Sequence, residues 1–140
     1  MTIGVAILGS TGSIGTSAMR VLERQAARFA PVALTAHGNA TALAMQAARW
    51  TPSYVGLVRG DVPAGLDWGT GAECLVAAAT HPAAQIVLNA VVGAAGLPAT
   101  LAALRAGKRV ALANKETLVV AGDIVTATAR EFGGSLVPVD

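Results

Sequence analysis

Short apolar runs alternate along the chain with longer segments of helical periodicity. Six apolar runs are predicted to be strands, at residues 2–8, 31–36, 54–58, 85–92, 109–113 and 135–139. Helical spacing predicts helices at residues 12–28, 41–50, 72–79, 97–106, 115–121 and 123–132. Strands that alternate with helices pair in parallel, and apolar residues on both strand faces fit a sheet covered on both sides. The pattern therefore predicts an α/β fold with a Rossmann-like doubly wound parallel sheet.

Two details of this pattern can be tested directly. In the first predicted helix, Ile14, Met19, Val21 and Leu22 recur at roughly helical spacing, which supports the helix. Residues 59–71 contain Gly, Pro and Asp and are expected to form a loop without regular structure.

The first strand leads directly into a glycine-rich segment, residues 9–15, with the sequence GSTGSIG. The spacing is GxxGxxG and not GxGxxG, but the physical purpose is the same. Glycine permits a tight turn and lets the backbone approach a pyrophosphate, while amides at the start of the following helix face the phosphates. The hydroxyls of Ser10, Thr11 and Ser13 add donors. We predict a dinucleotide-binding loop, and the alternative is a tight turn that binds nothing.

The end of the second strand indicates which dinucleotide binds. An NAD site usually has an acidic residue here, which binds the ribose hydroxyls. In this chain no acid occurs between Glu23 and Asp61, and the strand is followed by His37-Gly38-Asn39. A 2′-phosphate would meet His37, Asn39 and backbone amides, which favours NADP over NAD. His37 is equally compatible with a solvated loop position.

Two further clusters follow later strands. Residues 89–96, NAVVGAAG, end the fourth strand and offer small residues near a cofactor, although a simple helix entry explains them equally well. Asn114-Lys115-Glu116 follows the fifth strand at the same predicted edge. An ammonium there can hold an anionic or hydroxylated substrate, and Asn and Glu can bind the nicotinamide ribose. Helix capping by Asn114, with Glu116 in the first turn, is the structural alternative, and both can hold.

Composition narrows the classes of function. Charged residues make up only 13% of the chain, apolar residues 54%, and the net charge is +2 from scattered bases, so neither disorder nor a nucleic-acid interface is expected. No membrane span or signal peptide is expected either. Cys74 is the single cysteine, which excludes an internal disulfide and fits a reducing cytoplasm; it is expected to be a buried, inert thiol. His81 precedes Pro82 and is expected to be structural.

Taken together, the motifs resemble a known family over essentially the whole chain. GSTGSIG at 9–15, NAVVGAAGL at 89–97, TLAALRAGK at 100–108, LANKETLV at 112–119 and PVD at 138–140 resemble 1-deoxy-D-xylulose 5-phosphate reductoisomerases in order and spacing. The resemblance implies NADPH and a divalent metal, Mg²⁺ or Mn²⁺, as cofactors. The family rearranges 1-deoxy-D-xylulose 5-phosphate and reduces the product to 2-C-methyl-D-erythritol 4-phosphate, for isoprenoid biosynthesis by the non-mevalonate route. The resemblance also implies that the full-length protein is a homodimer.

Position by position, the resemblance assigns roles to ten residues. Those expected to contact NADPH are Thr11, Gly12, Ser13, Ile14, Gly38, Asn39, Asn114 and Glu116. Lys115 is expected to contact the phosphorylated sugar substrate, and Asp140 to be the first metal ligand. The chain departs from the family where many members read Gly-Lys-Asn and this chain reads His37-Gly38-Asn39. The missing lysine puts the contribution of Gly38 in doubt and leaves His37 as a substitute near the 2′-phosphate.

The end of the sequence suggests how the domains are divided. Residues 136–140 form a strand that stops at a carboxylate without a closing helix, so residues 1–140 are expected to be the NADPH-binding domain, cut at the start of a catalytic domain. Two other functions are compatible with parts of the pattern. A semialdehyde dehydrogenase would need a catalytic cysteine, for which Cys74 is badly placed. A nucleotide-sensing module would not need the polar groups of residues 114–116 and Asp140.

Overall fold

The computed structural model describes residues 1–113 and 115–139, except for the side chains of residues 115–117 and 120. The strands are β1 (Ile3–Leu8), β2 (Phe29–Ala36), β3 (Tyr54–Leu57), β4 (Gly69–Thr70), β5 (Ile86–Asn89), β6 (Arg109–Leu112) and β7 (Ser135–Pro138). The helices are α1 (Ser13–Arg24), α2 (Ala40–Trp50), α3 (Glu73–Ala79), α4 (Leu97–Arg105) and α5 (Lys115–Phe132), and a 3₁₀ turn covers Gly93–Gly96.

The seven strands form one sheet in which every described pair is parallel, in the order β4-β3-β2-β1-β5-β6-β7. Without the edge strand β4, this is the order of a doubly wound sheet, in which the chain starts at the centre, builds one half, and returns to build the other. The predicted Rossmann-like α/β fold is therefore confirmed.

Two apolar layers cover the two faces of the sheet because side chains alternate along each strand. In β1, Val5 and Ile7 pack with α1 and α2, while Ala6 and Leu8 pack with α3, α4 and α5. β1 is thus buried on both faces and lies at the centre of the sheet. The loop that leaves its carboxyl end is consequently held by a rigid support.

The first helix differs from its prediction. It ends at Arg24 and not at residue 28, because the amides of Arg28 and Phe29 both donate to the carbonyl of Gln25 and turn the chain into β2. Met19 and Leu22 are 7% exposed, whereas Ile14 and Val21 are 44% and 55% exposed. Of the four apolar residues at roughly helical spacing, two are therefore buried against the sheet and two are exposed.

The other differences lie near the predicted loops. The two-residue strand β4 pairs with β3 inside the segment predicted to be irregular, and β5 ends at Asn89 instead of residue 92. The predicted break near residue 122 is present as a kink, since Ala121 has the non-helical angles φ −128° and ψ 20° within α5.

Candidate dinucleotide-binding cleft

A cleft of about 590 Å³ opens at the carboxyl ends of four neighbouring strands, β3, β2, β1 and β5. Ligands of doubly wound sheets bind at this edge, at the point where the strand order reverses. Its lining residues are Gly9, Thr11, Gly12, Thr35, Ala36, His37, Gly38, Asn39, Val58, Ala72, Leu75, Ala90, Val91, Val92 and Ala95. The cleft thus brings together the glycine-rich segment, the end of β2 and the segment after β5.

The glycine loop, defined as residues 9–15, uses its three glycines in different ways. Gly9 has φ +84°, a conformation that glycine adopts without strain. A Cβ on Gly15 would lie 2.1 Å from the carbonyl oxygen of Gly9, so the fold itself requires glycine there. A Cβ on Gly12 would come no closer than 3.7 Å to the same oxygen. Gly12, which lines the cleft, is therefore the glycine that packing within the protein does not demand.

Backbone and side-chain contacts hold the glycine loop from behind. The amides of Gly9 and Ser10 donate to the carbonyl of Thr35 at 3.0 and 2.8 Å. The fully buried Ser10 donates its hydroxyl to Oε1 of Gln46 at 2.6 Å, and Nε2 of Gln46 donates back to the Ser10 carbonyl at 2.9 Å. Gln46 belongs to α2, so this reciprocal pair fixes the glycine loop to the helix that follows β2.

The start of α1 supplies the donors that an anion needs. The first amides of a helix have no intrahelical acceptor, and α1 has neither a capping side chain at Gly12 nor an acid in its first turn. A negative group is favoured at such an end by these amides and by the helix dipole. Ser13 and Ile14 lie in this turn with exposed side chains beside the cleft, and they do not belong to its lining.

The end of β2 forms the rim of the cleft. His37, Gly38 and Asn39 are exposed and all three line it. Oδ1 of Asn39 accepts a hydrogen bond of 3.1 Å from the amide of Ala42 and so caps α2. This bond uses the carbonyl oxygen of the side chain, and the amide nitrogen is the part of Asn39 that can donate to a ligand.

The segment after β5 has a structural explanation that sequence reasoning left open. Asn89 is 1% exposed, and its Nδ2 donates to the carbonyl of Gly96 at 2.9 Å and to Oγ1 of Thr100 at 2.8 Å. Its Oδ1 accepts from the amide of Val91 at 3.2 Å. The buried amide ends β5 and shapes the second loop, defined as residues 90–96. Ala90, Val91, Val92 and Ala95 of this loop then contribute a wall of the cleft.

The third predicted cluster is only partly described. Asn114 and Asp140 lie outside the described residues, as do the side chains of Lys115 and Glu116. The backbone on either side follows the prediction, because β6 ends at Leu112 and α5 begins at Lys115. The carboxyl end of β6 adjoins that of β5, where the amide of Ala113 donates to the carbonyl of Asn89 at 3.1 Å.

Cys74 and His81 have the properties expected of structural residues. Cys74 is 2% exposed, and burial, with a smaller contribution from Glu73, raises the pKa of its thiol to about 11. A thiol that stays protonated in this way is a poor nucleophile. His81 accepts a hydrogen bond from the amide of Ala83 at Nδ1, and its carbonyl accepts one from Nζ of Lys108.

Two features are absent from the part of the chain that the structure describes. No three His, Cys, Asp or Glu side chains cluster closely enough within it to hold a metal ion. No helix among the same residues is long and apolar enough to cross a membrane.

Sequence reasoning missed several residues that build the cleft. Thr35 and Gln46 hold the glycine loop, and Ala72 and Leu75 come from α3 and its start, which are distant in sequence. Gln46 carries no specific signal, since polar residues such as Thr41 and Arg49 also occur in the same helix. Ala72 and Leu75 carry no signal, since small and apolar residues are common in any core.

The sheet order and the glycine loop at its centre define a Rossmann-like domain of the nucleotide-binding class. A family model described as 1-deoxy-D-xylulose 5-phosphate reductoisomerase matches residues 5–122. The chain therefore belongs to the 1-deoxy-D-xylulose 5-phosphate reductoisomerase family.

Individual relatives agree with the family match. A reductoisomerase from Symbiobacterium thermophilum is 47% identical over 153 aligned residues, covering 100% of this chain and 40% of the relative. The solved structure of the Zymomonas mobilis enzyme in complex with NADPH has a TM-score of 0.90 at 41% identity, covering 100% of this chain and 39% of that one. A reductoisomerase in complex with NADPH, fosmidomycin and magnesium has a TM-score of 0.88 at 39% identity, covering 97% and 36%. The chain thus spans about two fifths of the length of these relatives.

Proposed function

We propose that this chain is the NADPH-binding domain, residues 1–140, of a 1-deoxy-D-xylulose 5-phosphate reductoisomerase. The whole enzyme would convert 1-deoxy-D-xylulose 5-phosphate to 2-C-methyl-D-erythritol 4-phosphate with NADPH and a divalent metal, in isoprenoid biosynthesis. Family membership supports the activity, and the solved relatives in complex with NADPH and with magnesium support the cofactors. Within the whole enzyme, the contribution of this chain would be to bind and orient the dinucleotide.

The geometry of Gly12 is the observation that carries the proposal. The position lines the cleft and begins the helix whose free amides favour an anion, and no protein atom within van der Waals contact requires glycine there. A pyrophosphate that approaches the backbone supplies that requirement. The cleft volume of about 590 Å³ is within the range of small-molecule sites and suits a dinucleotide that extends along an open edge.

The proposed contacts follow the order of the strands. Thr11, Gly12, Ser13 and Ile14 would bind the pyrophosphate, while Gly38 and Asn39 would bind the adenosine side. Asn114 and Glu116 would contact NADPH near the nicotinamide, because the segment after β6 lies at the same edge of the sheet. Lys115 would contact the substrate there.

The metal and the assembly belong to the whole enzyme. Asp140 would provide one ligand for Mg²⁺ or Mn²⁺, and the remaining oxygen ligands of such a hard cation would come from other carboxylates and from the substrate. We propose a homodimer acting in the cytoplasm, with the phosphorylated sugar as its small-molecule partner and no nucleic-acid or membrane partner. Neither the dehydrogenase nor the sensor alternative is retained, since Cys74 is buried and the family is one of reductoisomerases.

Titration of the protein with NADPH and NADH, followed by fluorescence or calorimetry, tests the cofactor assignment. NADPH should bind at least about tenfold more tightly than NADH, because a 2′-phosphate adds charge-assisted hydrogen bonds and no acid repels it. Equal or reversed affinities would contradict the proposal.

A glycine pair tests the site itself. Gly12→Ala should weaken binding of both dinucleotides by roughly tenfold or more, since a methyl group stands where the pyrophosphate approaches. Gly122→Ala is the matched control, because a Cβ at this helical position meets nothing within 4 Å and Gly122 does not line the cleft. If both variants bind alike, the glycine loop is not the dinucleotide site.

A further inference from the structure

Arg59 lies immediately beside the rim of the cleft although it belongs to a different strand connection. It follows β3, and its amide donates a hydrogen bond of 2.7 Å to the carbonyl of His37. A Cβ built on Gly38 would lie 3.9 Å from the Arg59 carbonyl oxygen. His37, Gly38 and Val58, the residue before Arg59, all line the cleft. The backbone of Arg59 is therefore a direct neighbour of the segment that would meet the 2′-position of the adenosine ribose.

Within the described residues, the charge of Arg59 has no partner. Its side chain is exposed and makes no hydrogen bond or ion pair with any described residue. The ion pair found among the described residues joins Arg49 to Glu23. The acid closest in sequence, Asp61, is also exposed and forms no ion pair there. A guanidinium in this position can turn toward a ligand without breaking an existing contact.

The rim on its own has no strong cation. Residues 29–48 include β2, His37-Gly38-Asn39 and most of α2, yet they contain neither lysine nor arginine. The rim thus offers amides, an imidazole and one side-chain amide to a phosphate. A guanidinium is always charged, and its planar fork matches two phosphate oxygens at once.

We propose that Arg59 binds the 2′-phosphate of NADPH and is the specificity-determining residue for NADPH over NADH. The inference rests on the proposed function, because it requires the dinucleotide to lie along the glycine loop with its adenosine ribose at the end of β2. Arg59 comes from the segment after β3, and the hydrogen bond from its amide to the His37 carbonyl holds its backbone next to the rim. His37 then contributes hydrogen bonding and not the main charge.

Titrations of wild-type protein and variants with NADPH and with NADH test the inference. Arg59→Ala should weaken NADPH binding roughly 10-fold to 100-fold, because one charge-assisted phosphate contact is lost, and should leave NADH within about twofold. Arg59→Lys should recover part of the loss, since it keeps the charge but not the fork. Arg105→Ala, an exposed arginine at the end of α4, is the control and should change neither affinity.

The outcomes separate this inference from the function on which it rests. If wild-type protein prefers NADPH and Arg59→Ala keeps that preference, Arg59 does not read the 2′-phosphate. The inference is equally wrong if Arg59→Ala weakens both dinucleotides to the same extent, or if His37→Ala alone removes the preference. If the wild-type protein shows no preference for NADPH, the proposed cofactor assignment fails first and the role of Arg59 fails with it.

Discussion

The two loops that border the cleft are built on different physical principles. The glycine loop depends on the absence of side chains, since a Cβ on Gly15 would collide with the backbone of Gly9 and Ser10. The second loop depends on the presence of one side chain, the buried amide of Asn89, which binds three groups around it. The first arrangement leaves backbone amides open toward the cleft, while the second uses its polar groups internally. This difference explains why one loop suits an anion and the other presents mainly an apolar wall.

The largest effect in this comparison is expected from Gly15→Ala. The added Cβ would lie 2.1 Å from the Gly9 carbonyl oxygen and 2.6 Å from Cα of Ser10, and backbone atoms cannot move aside cheaply. We expect a loss of about 3–5 kcal/mol in the free energy of unfolding, measured by chemical denaturation.

Gly12→Ala serves as the matched control within the same loop. Its Cβ has space, so we expect a loss of only about 1 kcal/mol or less, from the poorer residue at the start of α1. Similar stability of the two variants would show that glycine packing does not determine the shape of the loop.

An intermediate effect is expected from Asn89→Ala. The change removes three hydrogen bonds and leaves the Gly96 carbonyl and the Thr100 hydroxyl buried without this partner. We expect a loss of about 2–3 kcal/mol in the free energy of unfolding. Asn39→Ala removes a single exposed cap and should cost about 1 kcal/mol. If both asparagine variants lose the same amount, the second loop is not held by its buried amide.

A small effect, comparable to that of Gly12→Ala, is expected from Gly93→Ala in the second loop. Gly93 has φ +77°, which an alanine adopts only with strain, but a Cβ there meets nothing within 4 Å. The cost is therefore conformational alone, about 1 kcal/mol. Comparing the thermal unfolding of Gly93→Ala with that of Gly15→Ala measures the difference between two glycines. The backbone angle requires glycine at position 93, and close contact requires it at position 15. A loss as large as that of Gly15→Ala would reveal crowding around residue 93.

The parts of the molecule that local pattern determines could be predicted from the sequence. Apolar runs located six of the seven strands, and the position of the glycine loop between β1 and α1 indicated the cleft. What could not be predicted depends on partners far apart in the chain. The sequence of residues 89–96 did not show that the Asn89 side chain is buried and holds the loop, because its partners Gly96 and Thr100 lie up to 11 positions away. Gln46 gave no sign that it would reach Ser10, 36 positions earlier.

The short strand β4 forms one edge of the sheet. Without it, β3 would present an open row of amides and carbonyls to any passing strand, the usual start of sheet-to-sheet aggregation. β4 covers the second half of that row with two residues, Gly69 and Thr70, and it is too short to recruit another strand well. A Cβ on Gly69 would lie 2.0 Å from the Tyr54 hydroxyl oxygen, so the Tyr54 side chain would have to shift to admit a larger residue there. A two-residue edge strand thus leaves little backbone for edge-to-edge pairing with a second sheet.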